Sequence, residues 1–369
     1  MIKKMMQKNE VSWLGLGAMR LPTLEKDGVE LDWAASEKVI DYCVENGITY
    51  FDTAYAYNKG ENEAVVGASL EKYPRDSYYI ATKYAISLNP DYEAVFEEQL
   101  AKLKTDYIDF YHIHSIMDVN HERYIDSGCI EYFAKQKAAG RIKNLGFSTH
   151  ASIPVFEKFL NLRDWDFVLV QLNPYDWIFG EIKQKYDAIE AKGIPAIAMG
   201  PVRGGRIATL SPEAVAIWKK ERPEWEIAEW AFRWVKNRTN CKVVLSGMTN
   251  IEMVAQNVNI FKDEAGLTEA EEKIYYTALE AFKKEMTVPC TDCKYCVDND
   301  TCPQKINIPR FLDVYNAYKV DGAGALRKMD DIDSAGQPLD CIDCGECSAV
   351  CPQNIELVAI MQEMAEAKR

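Results

Sequence analysis

The chain has no apolar run of the roughly 20 residues that a membrane-spanning helix needs, so no helical span is expected. It also lacks the apolar core and small-residue cleavage site of a secretory signal: "MIKKMMQKNEVSW" carries positive charge and then turns polar. A cytoplasmic protein with no membrane partner is the expectation. Positive charge is scarce, with 43 Lys and Arg against 57 Asp and Glu and a net charge of −14. Nucleic acid is therefore an unfavourable partner, because its phosphates would be repelled rather than neutralised. Missing too is a complete G-x-G-x-x-G, since "GLGAMR" begins that pattern without finishing it. That argues against a doubly wound sheet with a nucleotide site after its first strand.

Cysteine is plentiful and unevenly placed. Eight of the eleven cysteines fall between Cys290 and Cys351, and in a reducing compartment such a density points to metal rather than disulfides. Cys290, Cys293, Cys296 and Cys302-Pro303 form one group; Cys341, Cys344, Cys347 and Cys351-Pro352 form another. Both share C-x2-C-x2-C followed by Cys-Pro, and both continue alike, "CPQKINI" against "CPQNIEL". The tail reads as a duplication. Three closely spaced cysteines suit three corners of a cubane, with the fourth ligand taken from the other motif. That rule puts Cys290, Cys293, Cys296 and Cys351 around one 4Fe-4S cluster, and Cys302, Cys341, Cys344 and Cys347 around a second. Two extra residues in "VDNDT" precede Cys302. Paired C-x2-C motifs also bind zinc, but triplets closed by Cys-Pro favour iron and sulfur. Between the motifs, Phe311, Leu312, Val314, Tyr315 and Tyr318 recur at helical spacing behind Pro309, so a mainly helical ferredoxin-like module is expected. Cys43, Cys129 and Cys241 stand alone as packing residues.

From residue 11 to about 285, apolar runs alternate with segments of helical period. "VSWLGLGAM", "ITYFDTA", "YYIATK", "YIDFYHIH", "IKNLGFST", "FVLVQLN", "PAIAMGP" and "KVVLSGM" supply eight strands. Strict alternation implies a parallel sheet, and eight units imply a closed (β/α)8 TIM barrel. The division expected is a barrel over 1–261, a helical connector over 262–289 and the iron–sulfur domain over 290–369. In a barrel the active site forms where the strands end. Asp52 ends the second run with Tyr57 just beyond, Lys83 ends the third, and His114 ends the fourth. A tyrosine is a weak acid near neutrality, with an unperturbed pKa of about 10, unless a nearby ammonium stabilises its phenolate. Lys83 would supply that charge, Asp52 would hold Lys83, and His114 would hydrogen-bond the same substrate oxygen. His112 points the same way as His114 and reads as a core histidine. "WEIAEWAFRWV" reads as a buried stripe through Trp225, Ile227, Trp230, Ala231 and Trp234.

"FDTAYAY", "IATKY", "IDFYHIH" and "LGFSTH" resemble the signature segments of the aldo/keto reductase family over residues 10 to 260. With the cysteine tail, the chain resembles the members that carry a C-terminal 4Fe-4S domain. The resemblance implies that Asp52, Tyr57, Lys83 and His114 are the family's catalytic tetrad. It also implies a nicotinamide held by Ser148, Thr149 and Gln171, with Met199 where a stacking aromatic usually stands and Gly200, Pro201 and Val202 following. Gln256 and Asn257 would meet the adenine. Gly247 and Met253 occupy places where NADPH-using relatives carry a cation for the 2′-phosphate, which leaves Arg203 or Arg206 to reach a phosphate instead.

Iron–sulfur clusters pass single electrons whereas nicotinamide exchanges a pair. Three arrangements follow. The barrel is an NAD(P)H-dependent reductase of a carbonyl, or oxidant of an alcohol, with clusters that are structural or serve a redox protein partner. Alternatively a flavin sits at the barrel mouth and joins clusters to substrate, or the chain is a non-catalytic electron-transfer module.

Overall fold

The computed structural model describes residues 1–25, 28–208, 211–284, 286–297 and 300–368. Asp298 and Asn299 of the "VDNDT" insertion lie outside them. The chain forms two compact units: Met1–Val202 with Glu229–Leu267, and Arg203–Ala228 with Thr268–Arg369.

The first unit opens with an antiparallel hairpin, β1 (Lys3–Met6) and β2 (Asn9–Ser12). Eight parallel strands then close a barrel in the order β10-β3-β4-β5-β6-β7-β8-β9. They are β3 (Leu14–Gly17), β4 (Tyr50–Asp52), β5 (Tyr79–Tyr84), β6 (Ile108–Ile116), β7 (Ile142–Thr149), β8 (Val168–Gln171), β9 (Ala196–Met199) and β10 (Cys241–Ser246). Each falls within or against a run picked out by sequence. Their side chains are almost all buried because one face fills the barrel and the other meets helices. Tyr50, Ala81, Phe110, Leu169, Ile197 and Val243 fill the lower interior together with Met6 and Val11 of the hairpin, so that end is a packed core.

The helical segments start where local chemistry stops the strand. Asp32, Asp91 and Asn250 each accept a backbone N–H three residues on, at the heads of Trp33–Glu45, Tyr92–Lys102 and Ile251–Ile260. Each such cap is worth about 1 kcal/mol. Cys43, Cys129 and Cys241 are buried to 1% exposure or less, as expected of packing residues. Trp230, Ala231 and Trp234 are buried, whereas Trp225 and Ile227 are half-buried.

The second unit is mainly helical. Its helices include Pro212–Glu221, Glu269–Lys283, Ile308–Asp321 and Leu357–Lys368. Residues 203–228 belong here, although the linear reading counted them with the barrel; Trp218 packs on Tyr275 with ring centres 4.7 Å apart. Thr268 and Glu271 cap Glu269–Lys283 reciprocally. Phe311, Leu312, Val314 and Tyr315 face the core of this unit with the buried cysteines, Leu357 and Met361.

Candidate active site and cluster cysteines

Strand register brings the barrel candidates to one level. Lys83 on β5 stands opposite His112 on β6, and Asp52 on β4 opposite Ala81. Lys83 is 1% exposed; its ammonium donates to the Asp52 carboxylate and to the Thr53 carbonyl at 2.6 Å. Burial pushes the Lys83 pKa down and the Asp52 pKa up, and each charge opposes the shift of the other. The same ammonium lies 4.8 Å from the centre of the Tyr57 ring, and the His114 ring meets Tyr57 edge-on at 5.9 Å. The structure therefore gathers Asp52, Tyr57, Lys83 and His114 around one point.

The loops that present these groups are held in uncommon conformations. Asn58, Lys59 and Gly60, directly after Tyr57, all have positive φ (49°, 54° and 85°), as does Ser115 after His114 (53°). Non-glycine residues there are strained, and bonds hold them in place. Asn58 donates to the Val29 carbonyl at 3.0 Å and accepts from Asn62 at 2.8 Å. The Ser115 amide donates to Ser148 Oγ at 2.7 Å, and the Tyr124 hydroxyl donates to the His114 carbonyl at 2.7 Å.

His112 lies deeper, with Nε2 3.8 Å from Asp52 Oδ2 and its ring 4.7 Å from that of Phe167. Gly146 makes this packing possible: a Cβ there would stand 2.4 Å from the Phe167 carbonyl oxygen. Burial, reinforced by the Lys83 charge, holds both His112 and His114 neutral, well below the ordinary histidine pKa. Among the described residues, Asp52 Oδ2, both His112 nitrogens and His114 Nδ1 find no hydrogen-bond partner. Such buried orphans are uncommon outside functional sites.

The candidate cofactor residues border this mouth at strand ends. Ser148 and Thr149 end β7 and are buried. Gln171 ends β8 opposite Met199 on β9, and donates to Asp176. Gly200 has φ +58°, and a Cβ there would meet Gln171 Cγ at 3.5 Å, so Gln171, Met199 and Gly200 form one patch ahead of Pro201 and Val202. Asn257 is buried and donates to Ser246 Oγ at 3.0 Å, while Gln256 is half-buried.

In the second unit the Cys351 thiol is within electrostatic reach of Cys293 and Cys296, as Cys347 is of Cys296, while Cys302 acts on Cys341 and Cys347. Cys302, Cys341, Cys344 and Cys347 line a common pocket walled by Ile306 and Met361. Four sulfur donors converging on an apolar hollow fit an iron–sulfur cluster. The duplication extends to the backbone. Asp292 and Asp343, each two residues after the first Cys of its motif, both have positive φ. So do Lys294 and Gly345, one after the second, and Lys305 and Asn354, three after the Cys of Cys-Pro. These left-handed turns aim amides at sulfur; the Asp292 amide donates to Cys290 Sγ at 3.3 Å.

Family comparison agrees with both halves. Residues 13–273 match the model of the aldo/keto reductase family, and 289–356 match a 4Fe-4S dicluster domain. The chain belongs to the aldo/keto reductase family. An uncharacterized oxidoreductase, YqkF, of Bacillus subtilis is 26% identical over 75% of this chain and 94% of its own. A probable aldo-keto reductase 1 of Glycine max is 36% identical, over 29% of this chain and 34% of its own. Among solved structures, the aldo-keto reductase AKR11C1 of Bacillus halodurans superimposes with a TM-score of 0.62 at 24% identity, covering 75% of this chain and 96% of its own. The likeness to that structure is one of fold. No helix among the described residues is long and apolar enough to cross a membrane.

Three placements in this aldo/keto reductase were not read from sequence. Arg20, which ends "GLGAMR", lies over Gly247: a Cβ on that glycine would meet Arg20 Cδ at 2.8 Å. A cation from the segment after β3 thus stands beside the end of the last strand. His150 stands within reach of the His114 ring, its own pKa held at about 4 by burial and the Lys185 charge. Arg203 and Arg206, considered for a phosphate, are instead engaged in the second unit: Arg203 with Pro289 and Gln353, Arg206 with Asp313.

Proposed function

We propose that the barrel reduces a small carbonyl compound, or oxidises the matching alcohol, with NAD(P)H as the hydride source and Tyr57 as the proton donor. Two 4Fe-4S clusters occupy the two cysteine sets of the tail. The observation that carries the barrel reading is the placement of the Lys83 ammonium between the Asp52 carboxylate and the Tyr57 ring.

NAD(P)H, when bound, supplies the hydride to the substrate carbon. Ser148, Thr149, Gln171 and Met199 would hold its nicotinamide, Gln256 and Asn257 its adenine, and Arg20 a phosphate. Tyr57 passes its hydroxyl proton to the carbonyl oxygen. The Lys83 charge stabilises the phenolate left behind, and Asp52 fixes the ammonium in place. His114, neutral, offers an N–H to the same oxygen and adds no charge that would compete with Lys83.

Tyr57→Phe keeps the ring and removes the proton. It is expected to cut NAD(P)H-driven carbonyl reduction by roughly two to four orders of magnitude with iron content unchanged. Wild-type turnover in that variant would end the assignment. Stoichiometric flavin released from the same preparation would replace nicotinamide by flavin at this mouth.

A further inference from the structure

His112 is a buried ionisable group that the proposed reaction does not use. Its side chain is 0% exposed, and it stands opposite Lys83 on β5 and Gly146 on β7. Packing places the ring: it meets Phe167 edge-on at 4.7 Å, and a Cβ on Gly146 would stand 2.7 Å from the Phe167 ring. Phe167, Phe110 and Tyr50 continue the contact through the barrel interior, with ring centres 5.5 and 5.1 Å apart. An apolar side chain would fill such a place without stranding polar atoms. A neutral imidazole instead brings one N–H and one acceptor, and both lose their solvent there.

The same interior holds two more unsatisfied groups. Asp52 divides its oxygens: Oδ1 accepts from Lys83, and Oδ2 has no partner among the described residues. Tyr50, two residues earlier on β4 and so on the same face, has its hydroxyl unpaired among them as well. It lies within electrostatic reach of the Asp52 carboxylate. His112 Nε2 is 3.8 Å from Asp52 Oδ2. That is too long for a hydrogen bond, yet two atoms each about 2.8 Å from a third can stand that far apart. Water bound inside proteins takes such places, joining buried polar groups that have no other partner. An N–H on one side and a carboxylate oxygen on the other suit a molecule that both accepts and donates. The pair is not an ordinary salt bridge, because burial and the Lys83 charge keep the imidazole neutral.

We propose that one internal water is bound between His112 and Asp52, accepting from the imidazole Nε2–H and donating to Asp52 Oδ2, and that through it His112 acts as a positioning residue for the Asp52–Lys83 pair. The Lys83 ammonium satisfies one carboxylate oxygen and the water the other. Asp52 is thereby kept ionised and in place as the counter-ion of Lys83. The ionisable groups around it are Lys83, Tyr50, His112, His114 and Tyr57, and Lys83 supplies the positive charge among them. Burial already favours the protonated carboxyl, so removing a hydrogen bond to the charged form lets Asp52 take up a proton at higher pH. The inference rests on the tetrad reading above.

The test begins with a crystal structure of the full chain at a resolution that shows ordered water. A water peak within about 3.2 Å of both His112 Nε2 and Asp52 Oδ2 is expected. No peak there, or Nε2 bonded directly to Oδ2, overturns the proposal. The positioning role is read from the pH profile of kcat. His112→Leu removes the donor and should move the acid limb up by roughly one pH unit. His112→Gln keeps an N–H near the Nε2 position and should leave the limb in place. A histidine that only fills space would lower the melting temperature without moving the limb. An unmoved limb in a folded His112→Leu, or a limb moved as far by the glutamine, overturns the role. If His112→Leu does not fold, the water peak and the glutamine profile decide. Tyr57→Phe is assayed beside these variants: wild-type turnover there fails the tetrad reading, while the density at His112 reports the water by itself.

Discussion

The Lys83 ammonium stands 4.8 Å from the centre of the Tyr57 ring. It is held there by the Asp52 carboxylate at the end of β4 and by the Thr53 carbonyl one residue beyond, at the start of the loop that carries Tyr57. Lys83→Met is expected to lower carbonyl reduction by at least two orders of magnitude. It also leaves Asp52 buried without its partner, a loss of the kind that costs roughly 3 kcal/mol or more. Turnover and melting temperature measured on one preparation check both. Full turnover in a folded Lys83→Met chain would remove the lysine from the mechanism.

The pH profile follows from the same burial. Reduction needs Lys83 charged, and burial lowers its pKa, so the rate should fall on the alkaline side before an ordinary lysine, near 10.4, gives up its proton. His114 is depressed well below the ordinary value and stays neutral as pH falls through about 6.5, where a free imidazole gains its proton. No break in kcat from His114 is expected there. A break near 6.5 that disappears in His114→Gln would show that the imidazole titrates in the working range.

Most of this site was legible because its signals are periodic. Asp52 ends β4, and Lys83 and His114 stand one and two residues before the ends of β5 and β6; strand ends converge in a barrel, and the eight apolar runs exposed those ends. The cysteine sets were legible because spacing and repetition sit within a single stretch of chain. Arg203 was not, since its partners lie 86 and 150 residues away and no local pattern joins them. The β1–β2 hairpin escaped for another reason: Gln7, at φ 56°, fills a turn position that Asn or Gly usually advertises. Arg20 was read only against a nucleotide fingerprint that it does not complete, while its neighbour Gly247 comes from the far end of the barrel sequence.

Glu63 gives a stability prediction independent of turnover. It is fully buried; Oε1 accepts from Thr82 and, at 2.7 Å, from Gln99, while Oε2 has no partner among the described residues. Burial raises its pKa to about 7. The folded chain therefore holds this proton where the unfolded chain has released it, and stability falls as pH rises from about 4.3, the unfolded value, through about 7. Above that window the penalty is roughly 4 kcal/mol. Glu63→Gln retains the Oε1 acceptor and removes the charge, so it should raise the melting temperature at pH 8 and change it little at pH 5. Equal shifts at both values would show that ionisation of Glu63 is not the cause.

The crossed ligand assignment expected from the sequence supplies the last prediction. If each Cys-Pro cysteine served its own triplet, Cys351→Ala would damage the cluster of Cys341, Cys344 and Cys347. Crossing predicts the reverse: Cys351→Ala disturbs the cluster of Cys290, Cys293 and Cys296, and Cys302→Ala disturbs the other. The double variants are diagnostic. Cys351→Ala with Cys293→Ala should lose no more iron than the worse of the two single variants, because both act on one cluster. Cys351→Ala with Cys344→Ala should lose nearly all of it, roughly eight irons per chain. Iron analysis and the electron paramagnetic resonance spectrum of each reduced variant separate the two patterns. The first double variant losing all iron while the second keeps one cluster would return each Cys-Pro cysteine to its own motif.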